Sequence, residues 1–245
     1  MAEKTLVYFV ADVHLGLKIE DPAEREERFL RFLDGIDPSR TQALCLLGDI
    51  WDFWYEYRDV IPKSGFRVLA RLSALIGQGV EVYFVPGNHD LWAYGFLKTI
   101  GIRQVGQPYF VEFGGRTFCL GHGHGLGPTP FGYRLMLAIF NSRILQALFS
   151  ALHPWIAFRF GNGWSRNNRK GHKPYVWKGS CEPLCIYSEE ILRSRKVDFF
   201  IYGHYHTPAC ETLSDGSRLY VLGGWLRDEM PHGVFDTSTG TFTLL

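Results

Sequence analysis

Histidine pairs and acidic residues recur directly after apolar runs in this chain. The clearest case is His204 and His206, which flank a tyrosine after the apolar run 197–202. Two histidines one residue apart at the end of a strand suit metal binding, but such histidines are also found as hydrogen-bonded or exposed residues. The pair alone therefore leaves a metal site and an ordinary strand end equally open.

Four upstream apolar runs end in the same kinds of side chain. Asp12 and His14 follow the first run and would point the same way if the extended conformation persists, because strand side chains have a period of two. A turn capped by Asp12 is the alternative. Asp49 follows Gly48 after the second run, where glycine lets the backbone pass close to a ligand. The remaining candidates are Asn88, His89 and Asp90 after the third run and His122 and His124 after the fourth.

Two of these neighbourhoods allow a second interpretation. Asn88 is an uncommon type of metal ligand and also suits an ordinary turn. Asp52, three residues after Asp49, could orient a ligand from behind or cap a helix.

The apolar runs alternate with helical patterns, as at 22–33 and 66–76. This alternation predicts a parallel or mixed sheet, whose strands bring their carboxyl-terminal side chains to one edge. Seven ligands drawn from these candidates, all with oxygen or nitrogen atoms and none with a thiolate, would exceed the needs of one ion. Such a set suits two ions that share a carboxylate. Such a centre activates water, so the pattern predicts hydrolysis of a phosphoester or phosphoanhydride.

The motifs Asp-x-His, Gly-Asp, Gly-Asn-His-Asp, Gly-His and Gly-His-x-His follow one another between Asp12 and His206. In this order they resemble the calcineurin-like metallophosphoesterases. The resemblance implies an α/β (α+β) fold, a four-layer αββα sandwich. It also implies a single domain over 1–245 with a helical cap insertion at 127–178, and two divalent metal ions, with Mn²⁺ expected and Fe, Zn or Mg as alternatives.

The resemblance also assigns roles to individual residues. One ion would be held by Asp12, His14 and His206, the other by Asn88, His122 and His204, and Asp49 would bridge the two. His89 would donate to the phosphoryl oxygens or the leaving group, and Asp90 would orient it.

Within the family, the aromatic run 48–57 and the insertion after His122 are most similar to members that cleave a UDP-linked diacylglucosamine in bacterial lipid A synthesis. This similarity implies attack on the α-phosphorus of the nucleotide, with release of UMP and a lipid 1-phosphate. The chain departs from that pattern at His89, where arginine is usual, and at His124 and Pro130, where aspartates are expected. Another nucleotide, nucleotide sugar or phosphodiester is the alternative substrate, and a non-catalytic scaffold on the same fold is a further alternative.

The middle of the chain is basic and apolar. No acidic residue lies between Glu112 and Glu182, whereas nine lysines and arginines do, among leucines and aromatic residues at helical spacing. This combination predicts contact with an anionic membrane surface and a chamber for acyl chains. The alternative is that the helices only pack on the core while their arginines extend outward. The candidate substrate contacts are Asn88, His89, Tyr133, Arg166, Asn167, Lys170 and Lys173.

The composition limits partners and location. A net charge of +1 does not favour nucleic acid as a partner, and none is expected. Five scattered cysteines argue against a disulfide framework and for a reducing compartment. The start of the chain has no signal-peptide pattern, and no window reaches the length of a spanning helix. We therefore expect a cytoplasmic protein bound peripherally to the inner face of the cell membrane.

Overall fold

The computed structural model describes residues 3–19, 21–168, 175–227 and 229–245, except for the side chains of 164 and 166–168. Two β-sheets form the centre of this part of the chain. The strands are β1 (Leu6–Val10), β2 (Thr41–Leu46), β3 (Glu81–Phe84), β4 (Arg103–Gln104), β5 (Tyr109–Phe113), β6 (Arg116–Leu120), β7 (Phe199–Tyr202), β8 (Ala209–Thr212), β9 (Arg218–Val221), β10 (Gly233–Asp236) and β11 (Thr241–Leu244).

Both sheets are mixed, as the alternation of strands and helices predicts. The first has the order β11-β10-β1-β2-β3-β4, and β1 to β4 are parallel. The second has the order β5-β6-β7-β9-β8, and β6, β7 and β9 are parallel. The parallel strands of each sheet therefore end at a common edge.

The described residues form seven α-helices. Helices α1 (Pro22–Asp34) and α2 (Phe66–Gly77) confirm the two helical patterns predicted for this region, and Asp21 caps α1 by accepting from the Ala23 amide. No helix in the described ranges has the length and apolar character needed to cross a membrane. The others are α3 (Phe96–Thr99), α4 (Phe131–Asn141), α5 (Arg143–Ser150), α6 (Pro154–Asn168) and α7 (Pro183–Leu192).

The strands are apolar on both faces because both faces are covered. In β1, Phe9 packs between the two sheets against Phe118 of β6, whereas Val10 faces α1 and α2. In β7, Ile201 faces the other sheet, whereas Phe200 packs with Leu184 of α7. Alternation with a period of two thus produces helices, sheet, sheet and helix in four layers, as expected from the sequence.

This arrangement brings five loops to one edge of the sandwich. The loops after β1, β2 and β3 leave the first sheet, and those after β6 and β7 leave the second. Helices α4, α5 and α6 lie in the stretch between β6 and α7. At the far end of the chain, turns at 215–216 and 238–240 connect β8 with β9 and β10 with β11 in two antiparallel hairpins.

Candidate metal centre

Four of the predicted ligands form one compact cluster. Ligand atoms of Asp12, His14, Asp49 and His206 all lie within 4.8 Å of one another. The side chains of the first three are almost entirely buried, whereas His206 is partly exposed. The loops after β1, β2 and β7 therefore meet at a single point, as the sequence predicts.

The backbone reaches this point by left-handed turns. Asp12, His14, Asp49, His204 and His206 all have positive φ angles, between 51° and 74°. Such angles are uncommon outside glycine and cost free energy, so their concentration here marks a functional site. The extended conformation that would point Asp12 and His14 the same way does not persist, because β1 ends at Val10. Backbone hydrogen bonds hold the turn instead, from the Asp12 amide to the Gly48 carbonyl and from the His14 amide to the Asp49 carbonyl.

In the half of the cluster formed by Asp12, His14 and His206, the ligand atoms lie close together. The Nε2 atoms of His14 and His206 lie 3.1 Å apart. Asp12 Oδ1 is 3.1 Å from His206 Nε2 and 3.8 Å from His14 Nε2. The other oxygen, Asp12 Oδ2, accepts from the His204 amide at 2.8 Å, which leaves Oδ1 turned toward the histidines.

The second half is built around His122. Its Nδ1 donates to the Leu47 carbonyl at 2.8 Å, so its Nε2 faces the cluster, 3.4 Å from Asp49 Oδ2. The ring of His204 lies 5.1 Å from that of His122, centroid to centroid. Asp49 Oδ2 is also 3.8 Å from His14 Nε2, so this carboxylate lies between the two halves.

Glycine is required at two positions around Asp49. A Cβ on Gly87 would lie 2.1 Å from Asp49 Oδ1. A Cβ on Gly48, whose φ is +79°, would lie 2.7 Å from His122 Nδ1. The sequence expectation that glycine lets the backbone pass beside a ligand is confirmed here.

The cluster holds opposite charges in a buried space. Burial alone would raise the pKa of the Asp49 carboxyl, but the imidazoles of His122, His89 and His14 hold it well below its usual range. Burial acts to lower the pKa of His122, but the Asp49 carboxylate raises it to about 10. Burial and the His122 charge hold the pKa of His204 well below its usual range. The site thus stabilises a cation close to Asp49.

Three buried atoms show that a metal ion fits this site. Asp12 Oδ1, Asn88 Oδ1 and His122 Nε2 make no hydrogen bond with any described residue. Buried polar atoms normally have partners, because an unpaired one costs about 1–3 kcal/mol. Carboxylate, amide and imidazole atoms together suit divalent ions such as Mn²⁺, Fe²⁺, Zn²⁺ or Mg²⁺.

Asp90 has a different partner from the one predicted. Its carboxylate accepts from the backbone amides of Gly87, Asp49, Ile50 and Trp51, at 2.7 to 3.3 Å. Burial and the Asp49 charge raise its pKa to about 7. Asp90 therefore fastens the loop after β2 to the loop after β3, and its predicted contact with His89 is wrong.

His89 is oriented by Asp52 instead. Its Nδ1 lies 2.7 Å from the Asp52 carbonyl oxygen, and its backbone amide donates to Asp49 Oδ1. The hydrogen bond to a carbonyl places the proton on Nδ1 and turns Nε2 toward Asp49 Oδ2, 3.9 Å away. Asp52 orients His89 through its backbone carbonyl, and the two interpretations of its side chain stay predictions.

Two supporting residues were not anticipated from the sequence. Arg25, in α1, is 1% exposed and donates to the carbonyls of His14, Leu17 and Ile19, so it braces the first metal loop. A signal existed, since Arg25 falls on the same helix face as Phe29, four residues later. Gln107 supports the loop after β6, and no sequence pattern marks it.

Two of the three departures from the expected pattern, His89 and His124, lie at the site. His124 is buried, its carbonyl accepts from Gln107 at 2.7 Å, and burial lowers the pKa of its imidazole to about 3. Pro130 precedes α4 as its N-cap residue. His89 is 21% exposed and borders the cluster.

Aromatic side chains of the run after Gly48 and of the loop after β3 contact helices α4 and α5. Tyr55 donates to the Gln146 carbonyl and Trp92 to the Phe140 carbonyl, both at 2.8 Å. Phe149 of α5 packs against both rings. These contacts fix α4 and α5 beside the metal loops.

Helices α4 and α5 have no buried residue, and most of their large exposed side chains are apolar. Phe131 is 78% exposed and Ile144 75%. Tyr133 of α4 faces the metal centre: its ring lies 6.4 Å from that of His204, and its hydroxyl is buried without a hydrogen bond to a described residue. Of the other predicted substrate contacts, Lys170, Lys173 and the side chains of Arg166 and Asn167 lie outside the described residues.

Comparison with known proteins places this chain in a family. The model of the calcineurin-like phosphoesterases matches residues 5–208. A UDP-2,3-diacylglucosamine hydrolase of Porphyromonas gingivalis is 31% identical over 96% of both chains, and one of Aeromonas hydrophila is 31% identical over 89% of both. A solved dimetal phosphatase from Danio rerio is 18% identical, with a TM-score of 0.46, over 94% of this chain and 92% of that one. The present chain belongs to the calcineurin-like phosphoesterase family and is a metal-dependent hydrolase.

Proposed function

We propose that this protein hydrolyses the diphosphate of a UDP-linked acylated glucosamine, releasing UMP and an acylated glucosamine 1-phosphate, as in lipid A biosynthesis. The names of its relatives support the substrate class. One structural observation carries the proposal: an insertion with exposed apolar helices is fixed beside the metal loops and turns Tyr133 toward His204. A soluble phosphodiester would not need this apolar surface.

The ligand set divides between two ions. Asp12, His14 and His206 would hold the first, and Asn88, His122 and His204 the second. Asp49 would be shared, because its Oδ2 lies between His14 Nε2 and His122 Nε2. Two divalent ions at such a centre neutralise charge on a phosphoryl group and lower the pKa of a water molecule. We take Mn²⁺ as the native ion, with Fe, Zn and Mg as alternatives.

His89 and Asn88 would contact the phosphoryl group. The Asp52 carbonyl holds the His89 ring so that Nε2 faces the cluster, and partial exposure leaves that edge open to substrate. His89 would donate to a phosphoryl oxygen or the leaving group in place of the arginine expected there. Tyr133 would meet the diphosphate or the glucosamine, since its ring lies near His204 and its hydroxyl is buried without a hydrogen bond to any described residue.

The insertion would bind the acyl chains and contact the membrane. Its exposed apolar residues include Phe131 and Leu135 of α4, Ile144 and Leu148 of α5, and Trp155 of α6. Arginines at 134, 143 and 159 accompany them, and the sequence from 113 to 181 has no acidic residue to oppose them. Apolar side chains among cations suit an anionic bilayer surface. We therefore place the protein at the inner face of the cell membrane.

Hydrolysis in ¹⁸O-labelled water tests the proposal. With Mn²⁺, the enzyme should cleave UDP-2,3-diacylglucosamine far faster than UDP-N-acetylglucosamine, which has no long acyl chain, and mass spectrometry should find the label in UMP. Equal rates on the two nucleotide sugars would overturn the acylated substrate. Label in the lipid phosphate would overturn attack on the α-phosphorus.

Variants at His89 test its role. His89→Ala should lower kcat by roughly 10²–10³, the cost of removing one donor to a developing oxyanion. His89→Arg, which restores the expected residue, should retain much more activity. An alanine variant as active as wild type would remove His89 from the reaction.

A further inference from the structure

The Asp52 carboxylate lies at the junction of three side chains. Its Oδ1 accepts from the Ser165 hydroxyl at 2.7 Å and lies 3.5 Å from His14 Nδ1 and 3.7 Å from His89 Nδ1. Only 2% of the Asp52 side chain is exposed. A carboxylate on the far side of a ligand histidine fixes the ring orientation and makes it a stronger ligand.

Ser165 reaches this junction from outside the sandwich. It belongs to α6, whereas Asp52 follows β2. Ala157, Gly161 and Ser165 are spaced four apart, so they share one face of α6, and all three are buried. A Cβ on Gly161 would lie 2.4 Å from a carbon of the Phe53 ring. The helix backbone therefore sits directly on the residue next to Asp52, close enough for a short hydroxyl to reach the carboxylate.

We propose that Ser165 is a positioning residue of the metal centre, holding the Asp52 carboxylate in the rotamer that faces His14 and His89. This rests on the proposed roles of those two histidines in metal binding and phosphoryl contact. A hydrogen bond to a charged acceptor is about twice as strong as a neutral one, so it can select one carboxylate orientation. Without the hydroxyl, the carboxylate turns away and the His14 imidazole loses part of its support, whereas the His89 ring keeps its hydrogen bond to the Asp52 carbonyl.

The proposal changes the role of the insertion. A cap that only bound acyl chains would matter for lipid substrates alone. If α6 orients Asp52, the insertion is part of the metal centre and matters for every substrate. Bis-p-nitrophenyl phosphate separates the two roles, because it has no acyl chain.

The test compares Ser165→Ala with Ser165→Thr, which keeps the hydroxyl, and with Ser150→Ala on α5 as a matched control. Ser150 is exposed, and its hydroxyl donates to the Ala147 carbonyl of its own helix. The first readout is Mn²⁺ affinity of the chelator-treated protein by calorimetry. Ser165→Ala should bind Mn²⁺ about tenfold more weakly, the low end for partners of ligand histidines. It should also lower kcat on bis-p-nitrophenyl phosphate with little change in KM, whereas Ser165→Thr and Ser150→Ala should match wild type.

A double variant that combines Ser165→Ala with Asp52→Asn tests whether Ser165 acts through Asp52. If Ser165 acts through Asp52, the double variant should be no worse than Asp52→Asn alone. Additive losses would overturn the proposal, as would normal Mn²⁺ affinity and normal bis-p-nitrophenyl phosphate turnover in Ser165→Ala. A loss confined to the acylated substrate would make Ser165 a substrate contact instead. A wild-type enzyme that cleaves only bis-p-nitrophenyl phosphate would overturn the proposed lipid substrate but not this comparison.

Discussion

Replacing Gln107 with methionine should weaken both the fold and the second half of the metal centre. The Gln107 Oε1 accepts from the amides of His122 and Gly123, at 2.9 and 3.0 Å, and Nε2 donates to the His124 carbonyl at 2.7 Å. Methionine has similar length but can make none of these hydrogen bonds. The loop that carries His122 would then lose its support.

The expected loss follows from the number of bonds. Each hydrogen bond contributes about 0.5–1.5 kcal/mol net, so three contribute about 1.5–4.5 kcal/mol to the free energy of unfolding. At about 2–4 °C per kcal/mol for a chain of this size, Tm should fall by roughly 3–18 °C. Gln107→Glu keeps two acceptor contacts but places an oxygen against the His124 carbonyl, so its loss should be intermediate.

Thermal unfolding of the metal-free proteins measures the change in stability, and Mn²⁺ titration measures the change in affinity of the metal centre for the ion. Gln104→Met is the matched control, since that amide donates to one carbonyl, that of Ala93, and not to the loop after β6. It should lose at most about 1.5 kcal/mol and bind Mn²⁺ normally. If Gln107→Met kept the wild-type Tm and Mn²⁺ affinity, the assigned role of this side chain would be refuted.

Three further predictions concern the loops and the insertion. His204→Ala should deplete the second ion and His206→Ala the first, so metal analysis that finds the same residual site in both variants would contradict the assignment. Arg25→Met removes a buried donor from three carbonyls and should cost about 3 kcal/mol or more; chemical denaturation measures this, and a loss below about 0.5 kcal/mol would contradict it. Leu148→Asp on exposed α5 should weaken sedimentation with vesicles containing anionic lipid while leaving bis-p-nitrophenyl phosphate turnover unchanged, and undiminished vesicle binding would argue against the membrane surface.

The sequence was informative where one physical rule acts alone. Strands covered on both faces read as continuous apolar runs, and their carboxyl ends meet, so Asp12, Asp49 and His206 could be brought together without coordinates. The motifs identify such residues as chemical because carboxylates and imidazoles have little reason to recur at strand ends. The apolar and basic character of the stretch between β6 and α7 could also be read directly from the sequence.

The remainder depended on three-dimensional contacts that no spacing rule encodes. The left-handed turns at Asp12 and His14 are held by hydrogen bonds to the loop after β2, far along the chain. Asp90 lies beside His89 in sequence, but its carboxylate accepts hydrogen bonds from four backbone amides instead. Gln107 is one polar residue in a loop until the fold places the His122 amide against it.

The central claim is that two ions share Asp49 in the loop cluster. Anomalous X-ray diffraction at the manganese edge, on crystals grown with Mn²⁺, tests it most directly. The account predicts two peaks roughly 3.5–4 Å apart, one beside His14 and His206 and the other beside His122 and His204. A single peak at saturating Mn²⁺, or two peaks that do not have Asp49 between them, would contradict it.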